Sequence, residues 1–209
     1  MSPLTDEQLS AAASACLELQ RTAQDIHSKR PFVALLLAPD NTTVLMSSLS
    51  LSHVRHAETE LARNAADNYA RDYLAKTTLV STWEPCAMCA GTIYWANIGR
   101  LVYLASEKTL RQLTGEGNAE NLTLDLPCRT IFASGQTEVE VIGPVSGWEA
   151  KVAEDSQSIL HEAGYEEEFC PESLDATPAF KRVDFLDQKT VAYLQSVKGV
   201  SVEYTQEEN

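Results

Sequence analysis

Basic residues are scarce in this chain: 16 Lys and Arg stand against 30 Asp and Glu, a formal net charge of −14. Tight nucleic-acid binding draws on Lys and Arg that neutralise phosphates, so a uniformly basic groove is not expected and a polynucleotide substrate is disfavoured, though a local basic patch would allow one. Long apolar runs are missing too. No stretch approaches the ~20 residues that cross a bilayer, so no membrane partner is expected. The start, MSPLTDEQLS, has neither the basic residues nor the apolar stretch of a secretory signal. The cytoplasm is the expected location. The five cysteines are few and odd in number, and Cys86 and Cys89 are only three apart. Such spacing argues against a disulfide framework and for reduced thiols, some of them binding metal. There is no internal repeat and no low-complexity tract. What remains is ordinary globular material, 44% hydrophobic and 22% charged over 209 residues, enough for one domain with additions.

Periodicity places the elements. Residues 5–26 are expected to form a helix: Thr5 can cap it, Asp6 and Glu7 suit its positive end, and Leu9, Ala12, Ala13, Cys16 and Leu17 form an apolar stripe. An apolar run over 32–38, turn chemistry at Pro39-Asp40-Asn41 and β-rich residues over 43–47 predict a hairpin. Helix formers return over 57–75, followed by a β-branched strand over 77–82, an apolar helix over 86–98 opened by Pro85, and a buried strand over 101–105. Residues 115–127 read as a loop, 139–142 as a last strand and 148–163 as a last helix. Alternation of helices and strands implies a three-layer α/β domain whose crossover helices join parallel strands. The expected division is a domain over 1–165 and a C-terminal extension over 166–209 that closes a pocket or contacts a subunit. Its Glu166-Glu167-Glu168 cluster is most simply solvated.

Two short motifs carry the chemistry: His56-Ala57-Glu58, and Glu84-Pro85-Cys86-Ala87-Met88-Cys89 after an intervening helix and strand. A catalytic zinc takes three protein ligands and leaves one position open for water, and one imidazole with two thiolates fits that need. Cys86 and Cys89 share a helix face, and in the first turn they lie at the positive end of the dipole, which favours thiolates. Glu58, two residues after His56, suits a proton shuttle better than a further ligand. Alone, the cysteine pair fits a redox motif or two buried thiols as well as it fits a metal site; His56 and Glu58 tip the balance to one zinc ion (Zn2+) per chain.

His-Ala-Glu followed by Pro-Cys-x-x-Cys resembles the signature of the cytidine deaminase superfamily. The stretch TWEPCAMCAGTIYWANIGRLVYLA is most similar to the branch holding bacterial guanine deaminases, tRNA adenosine deaminases and fungal cytosine deaminase, and Pro31-Phe32-Val33-Ala34 resembles that branch's Pro-Phe-Gly-Ala strand. The resemblance spans residues 5–145 by element order, with its specific part at 56–105. It implies a three-layer α-β-α fold around a mixed five-stranded sheet, a homodimer, and hydrolytic release of ammonia from a small amino-heterocycle. Ile-Tyr-Trp-Ala tilts the expectation to a guanine-like purine, with a tRNA adenosine deaminase, or its subunit, second. A non-catalytic zinc scaffold is a third reading, disfavoured because Glu58 is intact.

The substrate residues follow the family less closely. An Asn that the family uses to hold the base is missing from MSSLSLSHVRHAE, where Ser48, Ser50 and His53 are the candidate replacements. Phe32, Trp83, Glu84, Trp95 and Asp125 complete the candidate set. Each has a plainer reading: Trp83 and Trp95 as packing, Glu84 as a junction residue, and Asp125, Cys128 and Arg129 as a structural loop.

Overall fold

The computed structural model describes residues 1–27, 29–115, 124 and 126–161, with side chains through 156. The extension expected over 166–209, and Asp125, lie outside the described residues. The element order is α1 (Asp6–Asp25), β1 (Val33–Leu37), β2 (Val44–Leu49), α2 (Ala57–Asn68), α3 (Arg71–Leu74), β3 (Thr78–Trp83), α4 (Ala87–Trp95), β4 (Arg100–Ala105), α5 (Glu107–Thr114), α6 (Cys128–Ala133), β5 (Glu140–Ile142) and α7 (Glu149–His161). The strands form one mixed sheet in the order β2-β1-β3-β4-β5. The hairpin β1–β2 and the pair β1–β3 are antiparallel, whereas β3–β4 and β4–β5, joined across helices, are parallel.

Both faces of the sheet are covered, which is why its central strands read as unbroken apolar runs. Alternate residues serve alternate layers. Val33, Leu35, Val80, Val102 and Leu104 face a core shared with α1, α5 and α7. Ala34, Leu36, Leu79, Leu101 and Tyr103 face a second core with α2, α4 and α6. The hydrophobic layers hold the strand ends fixed, and the strand ends position the site.

Local chemistry explains the boundaries. A capping box opens α1, the Thr5 hydroxyl accepting from the Gln8 N–H and the Gln8 side chain from the Thr5 N–H. The helix expected over 57–75 breaks instead at Tyr69 and Ala70, both extended with ψ of 146° and 145°. At that end the Asn68 amide donates to the Asn64 carbonyl at 2.7 Å, a side-chain competitor for the helical ladder. Asn97, with φ of 63°, and Gly99, where a Cβ would collide with the Ala75 carbonyl, make the turn from α4 into β4.

Two helices depart from the sequence expectation. Ser106 caps α5, its hydroxyl accepting from the Thr109 N–H at 3.2 Å. The segment holding Cys128 and Arg129 is the helix α6 and not a loop. It has no side-chain cap of its own; the Cys128 N–H donates instead to Glu84 Oε1 at 3.1 Å. Arg129 ties α6 to the Val141 and Gly143 carbonyls at 3.0 and 2.9 Å.

Candidate functional site

The N-termini of α2 and α4 meet beside the C-terminal end of β3, the end of an open α/β sheet where ligands characteristically bind. His56 stands at the N-cap of α2 and Cys86 at the N-cap of α4, both with extended backbone, and neither makes a side-chain cap bond. Their side chains are therefore available to each other. Cys89, one turn into α4, is fully buried and completes the group.

The donor spacing can be tested against a metal. In a tetrahedral zinc site with Zn–S near 2.3 Å and Zn–N near 2.0–2.1 Å, the edges are about 3.8 Å between sulfurs and about 3.6 Å between sulfur and nitrogen. The side chains give 3.7 Å for Cys86 Sγ to Cys89 Sγ, and 3.7 and 3.5 Å from His56 Nδ1 to Cys86 Sγ and Cys89 Sγ. One imidazole and two thiols already hold the edges of a zinc tetrahedron, and these three residues could hold the ion.

Charge at this cluster is shaped by proximity. Hydrogen bonding from Cys89, opposed by burial and aided by His56, brings the Cys86 thiol down to about 4. Cys89 moves the other way, held up first by its contact with Cys86 and then by burial. Contact with Cys86 also raises the His56 imidazole.

Glu58 lies in the first turn of α2 with only 5% of its surface exposed. Ser81 on β3 donates to its Oε1 at 2.7 Å, and its Oε2 lies 3.6 Å from Cys89 Sγ. Burial raises its carboxyl above the ordinary range, with the Ser81 hydrogen bond and His56 opposing. Thr59 also donates to Cys89 Sγ, at 3.2 Å, which helps to orient that sulfur.

These groups open onto a cleft of about 520 Å³, continuous with solvent. Phe32, Ser50, Trp83 and Glu84 line it together with His56, Glu58 and Cys86, as does His53. Trp83 is 2% exposed and its indole N–H has no acceptor among the described residues. Ser48 lies outside the lining and directs its hydroxyl to the adjoining Leu49 carbonyl at 3.5 Å. Trp95 is 76% exposed on α4 and also stands away from the cleft. Glu84 is bound on both oxygens, by the Cys128 N–H at 3.1 Å and by the Glu107 N–H at 3.3 Å, so it ties the starts of α6 and α5 to the β3–α4 junction.

Four lining residues escaped the sequence reading: Arg30, Ser52, Glu107 and Leu110. Glu107 left one usable signal, its place directly after a strand whose carboxyl end faces the site.

A metal triad at two converging helix starts, beside a buried carboxyl, on a mixed sheet of this order, defines a zinc-dependent deaminase, a hydrolase of carbon–nitrogen bonds. Residues 6–105 match the model of the cytidine and deoxycytidylate deaminase zinc-binding region. A probable cytosine deaminase of Schizosaccharomyces pombe is 32% identical over 132 residues, 61% of this chain and 78% of that protein. A tRNA-specific adenosine deaminase of Haemophilus influenzae is 39% identical over 80 residues, 36% of this chain and 46% of that protein, so the chain spans less than half of it. The solved guanine deaminase of Nitrosomonas europaea shares the fold, with a TM-score of 0.54 at 20% identity over 75% of this chain and 86% of that one. The chain belongs to the cytidine and deoxycytidylate deaminase family. Among the described residues no helix is long and apolar enough to cross a membrane.

Proposed function

We propose that this enzyme deaminates a free nucleobase, a guanine-like purine before others, with His56, Cys86 and Cys89 as zinc ligands and Glu58 as proton shuttle. The observation that carries the proposal is the ligand triangle of 3.5, 3.7 and 3.7 Å beside a buried glutamate. When bound, zinc supplies a water of lowered pKa as nucleophile toward the amino-bearing carbon. Glu58 takes the water's proton and returns protons to a ring nitrogen and to the departing amine, so that ammonia leaves and a carbonyl remains. A carboxyl raised by burial suits both the base and the acid half of that task, because its pKa lies nearer neutrality. Phe32 and Trp83 supply flat apolar walls for a heterocycle and Ser50 a hydroxyl.

The guanine preference is supported by the Ile-Tyr-Trp-Ala segment and by a net charge of −14, which disfavours a polynucleotide. Zinc-loaded protein is expected to release ammonia from guanine with little salt dependence. Inosine formation in an anticodon stem-loop, falling steeply with salt, would instead identify a tRNA enzyme. A homodimer is part of the proposal, supported by Trp95 and Met88, seven positions apart on α4 and 76% and 38% exposed. Trp95→Glu is expected to shift the parent dimer to monomer in sedimentation equilibrium; an unchanged dimer would show that this face is not the interface. A cytoplasmic setting is supported by four free thiols at Cys16, Cys86, Cys89 and Cys128, and localisation of a fluorescent fusion tests it.

A further inference from the structure

Glu107 is a cleft residue that the family motifs do not reach. It follows the cap residue Ser106 at the exit of β4 and opens α5, and its side chain lines the same cleft as His56, Glu58 and Cys86. Its backbone is anchored from two sides. Glu84 Oε2 accepts its N–H at 3.3 Å, and Glu149 Oε1 accepts from the Ser106 N–H and hydroxyl at 2.9 and 2.6 Å. The carboxyl itself is otherwise placed: among the described residues no hydrogen bond or ion pair holds it. Burial, then Cys86, Glu58 and Glu84, push its pKa up to about 8, while His56 alone opposes.

A half-buried carboxyl surrounded by other acids is costly unless something in the cleft completes it. In a protein the remedy is a basic partner or an N–H donor; Arg30, His53 and the Trp83 indole also line the cleft, but among the described residues none of them bonds this carboxyl. A neutral heterocycle with ring N–H and amino groups supplies such donors. A phosphorylated substrate would add a further negative charge to a wall where Glu58, Glu84 and Glu107 outnumber the one guanidinium, Arg30.

We propose that Glu107 binds substrate directly, its carboxyl accepting hydrogen bonds from ring N–H or amino groups of an unphosphorylated amino-heterocycle. The assignment rests on the reading of this cleft as a nucleobase site and adds to it the residue that selects a donor-bearing, uncharged ligand. Loss of a hydrogen bond to a charged group costs about 10- to 100-fold in affinity.

The test is guanine binding by calorimetry to zinc-loaded protein carrying Glu58→Gln, so that turnover does not interfere. Adding Glu107→Gln or Glu107→Leu is expected to weaken guanine binding about 10- to 100-fold with one zinc per chain retained. Affinity within twofold of the Glu58→Gln background in both double variants, or loss of zinc from both, would overturn the assignment. Ammonia release by the parent enzyme tests the nucleobase reading separately: turnover with guanine affinity indifferent to Glu107 removes this inference alone, and a parent that neither binds nor deaminates guanine removes both.

Discussion

Glu58→Gln is expected to lower turnover of the enzyme's base by about 10²- to 10⁴-fold while leaving one zinc per chain. The amide keeps the shape and the Ser81 contact, which at 2.7 Å holds the carboxyl toward the cluster, but it cannot carry a proton. Zinc content should be unaffected because Glu58 Oε2 touches Cys89 Sγ at 3.6 Å without belonging to the triangle of donors. Steady-state kinetics with metal analysis on the same sample checks this. A variant that keeps full turnover would remove Glu58 from the proton-shuttle role, and a variant that loses zinc would make Glu58 a metal-site residue.

Cys89→Ala is expected to remove zinc, activity and stability together. Cys89 is fully buried at the base of the site, and with it gone only His56 and Cys86 remain of the donor set. Zinc bound at a hundredfold excess over its dissociation constant contributes about 2.7 kcal/mol to the folded state. For a chain of this size that is a fall in Tm of about 5–10 °C. Differential scanning calorimetry with and without chelator should show the parent losing the same increment that the variant already lacks. Acid acts in a calculable direction: the Cys89 thiol is held up by Cys86 and by burial, so metal binding must release its proton, and zinc affinity should rise with pH. A Tm unchanged by chelator would contradict a structural contribution from the metal.

Much of the fold was legible because it follows from local chemistry. The Thr5 box, the Pro39-Asp40-Asn41 turn and the doubly buried runs of β1, β3 and β4 each announce themselves in a few residues. What escaped depends on distant partners. The helix α6 lacks a side-chain cap of its own and is met at its start by Glu84, 44 positions earlier in the chain. The break after Asn68 interrupts a sequence whose apolar spacing continues to Tyr73, and Tyr69 and Tyr73 still stack across it at 5.5 Å. The helix α5 carried a readable cap in Ser106, but its first residue, Glu107, joins the cleft only because β4 delivers it there.

The same division holds at the site. His56, Cys86 and Cys89 were readable because metal chemistry demands particular residue types at short spacings. The lining was less so, since a substrate wall is assembled from strand ends and loops with no fixed spacing. Phe32, Ser50, Trp83 and Glu84 line the cleft, whereas Ser48 and the exposed Trp95 stand away from it. Neighbours of a motif in sequence share its elements without sharing the direction of its side chains.

In the proposed reaction a zinc-activated water and Glu58 remove an amino group from a free base in this cleft. The most direct measurement is ammonia release from guanine by protein carrying one zinc per chain, with product identified by absorbance. Stoichiometric xanthine and ammonia, abolished by Glu58→Gln, is the predicted result. Zinc-replete enzyme that leaves guanine untouched while converting adenosine to inosine in an anticodon stem-loop would contradict it.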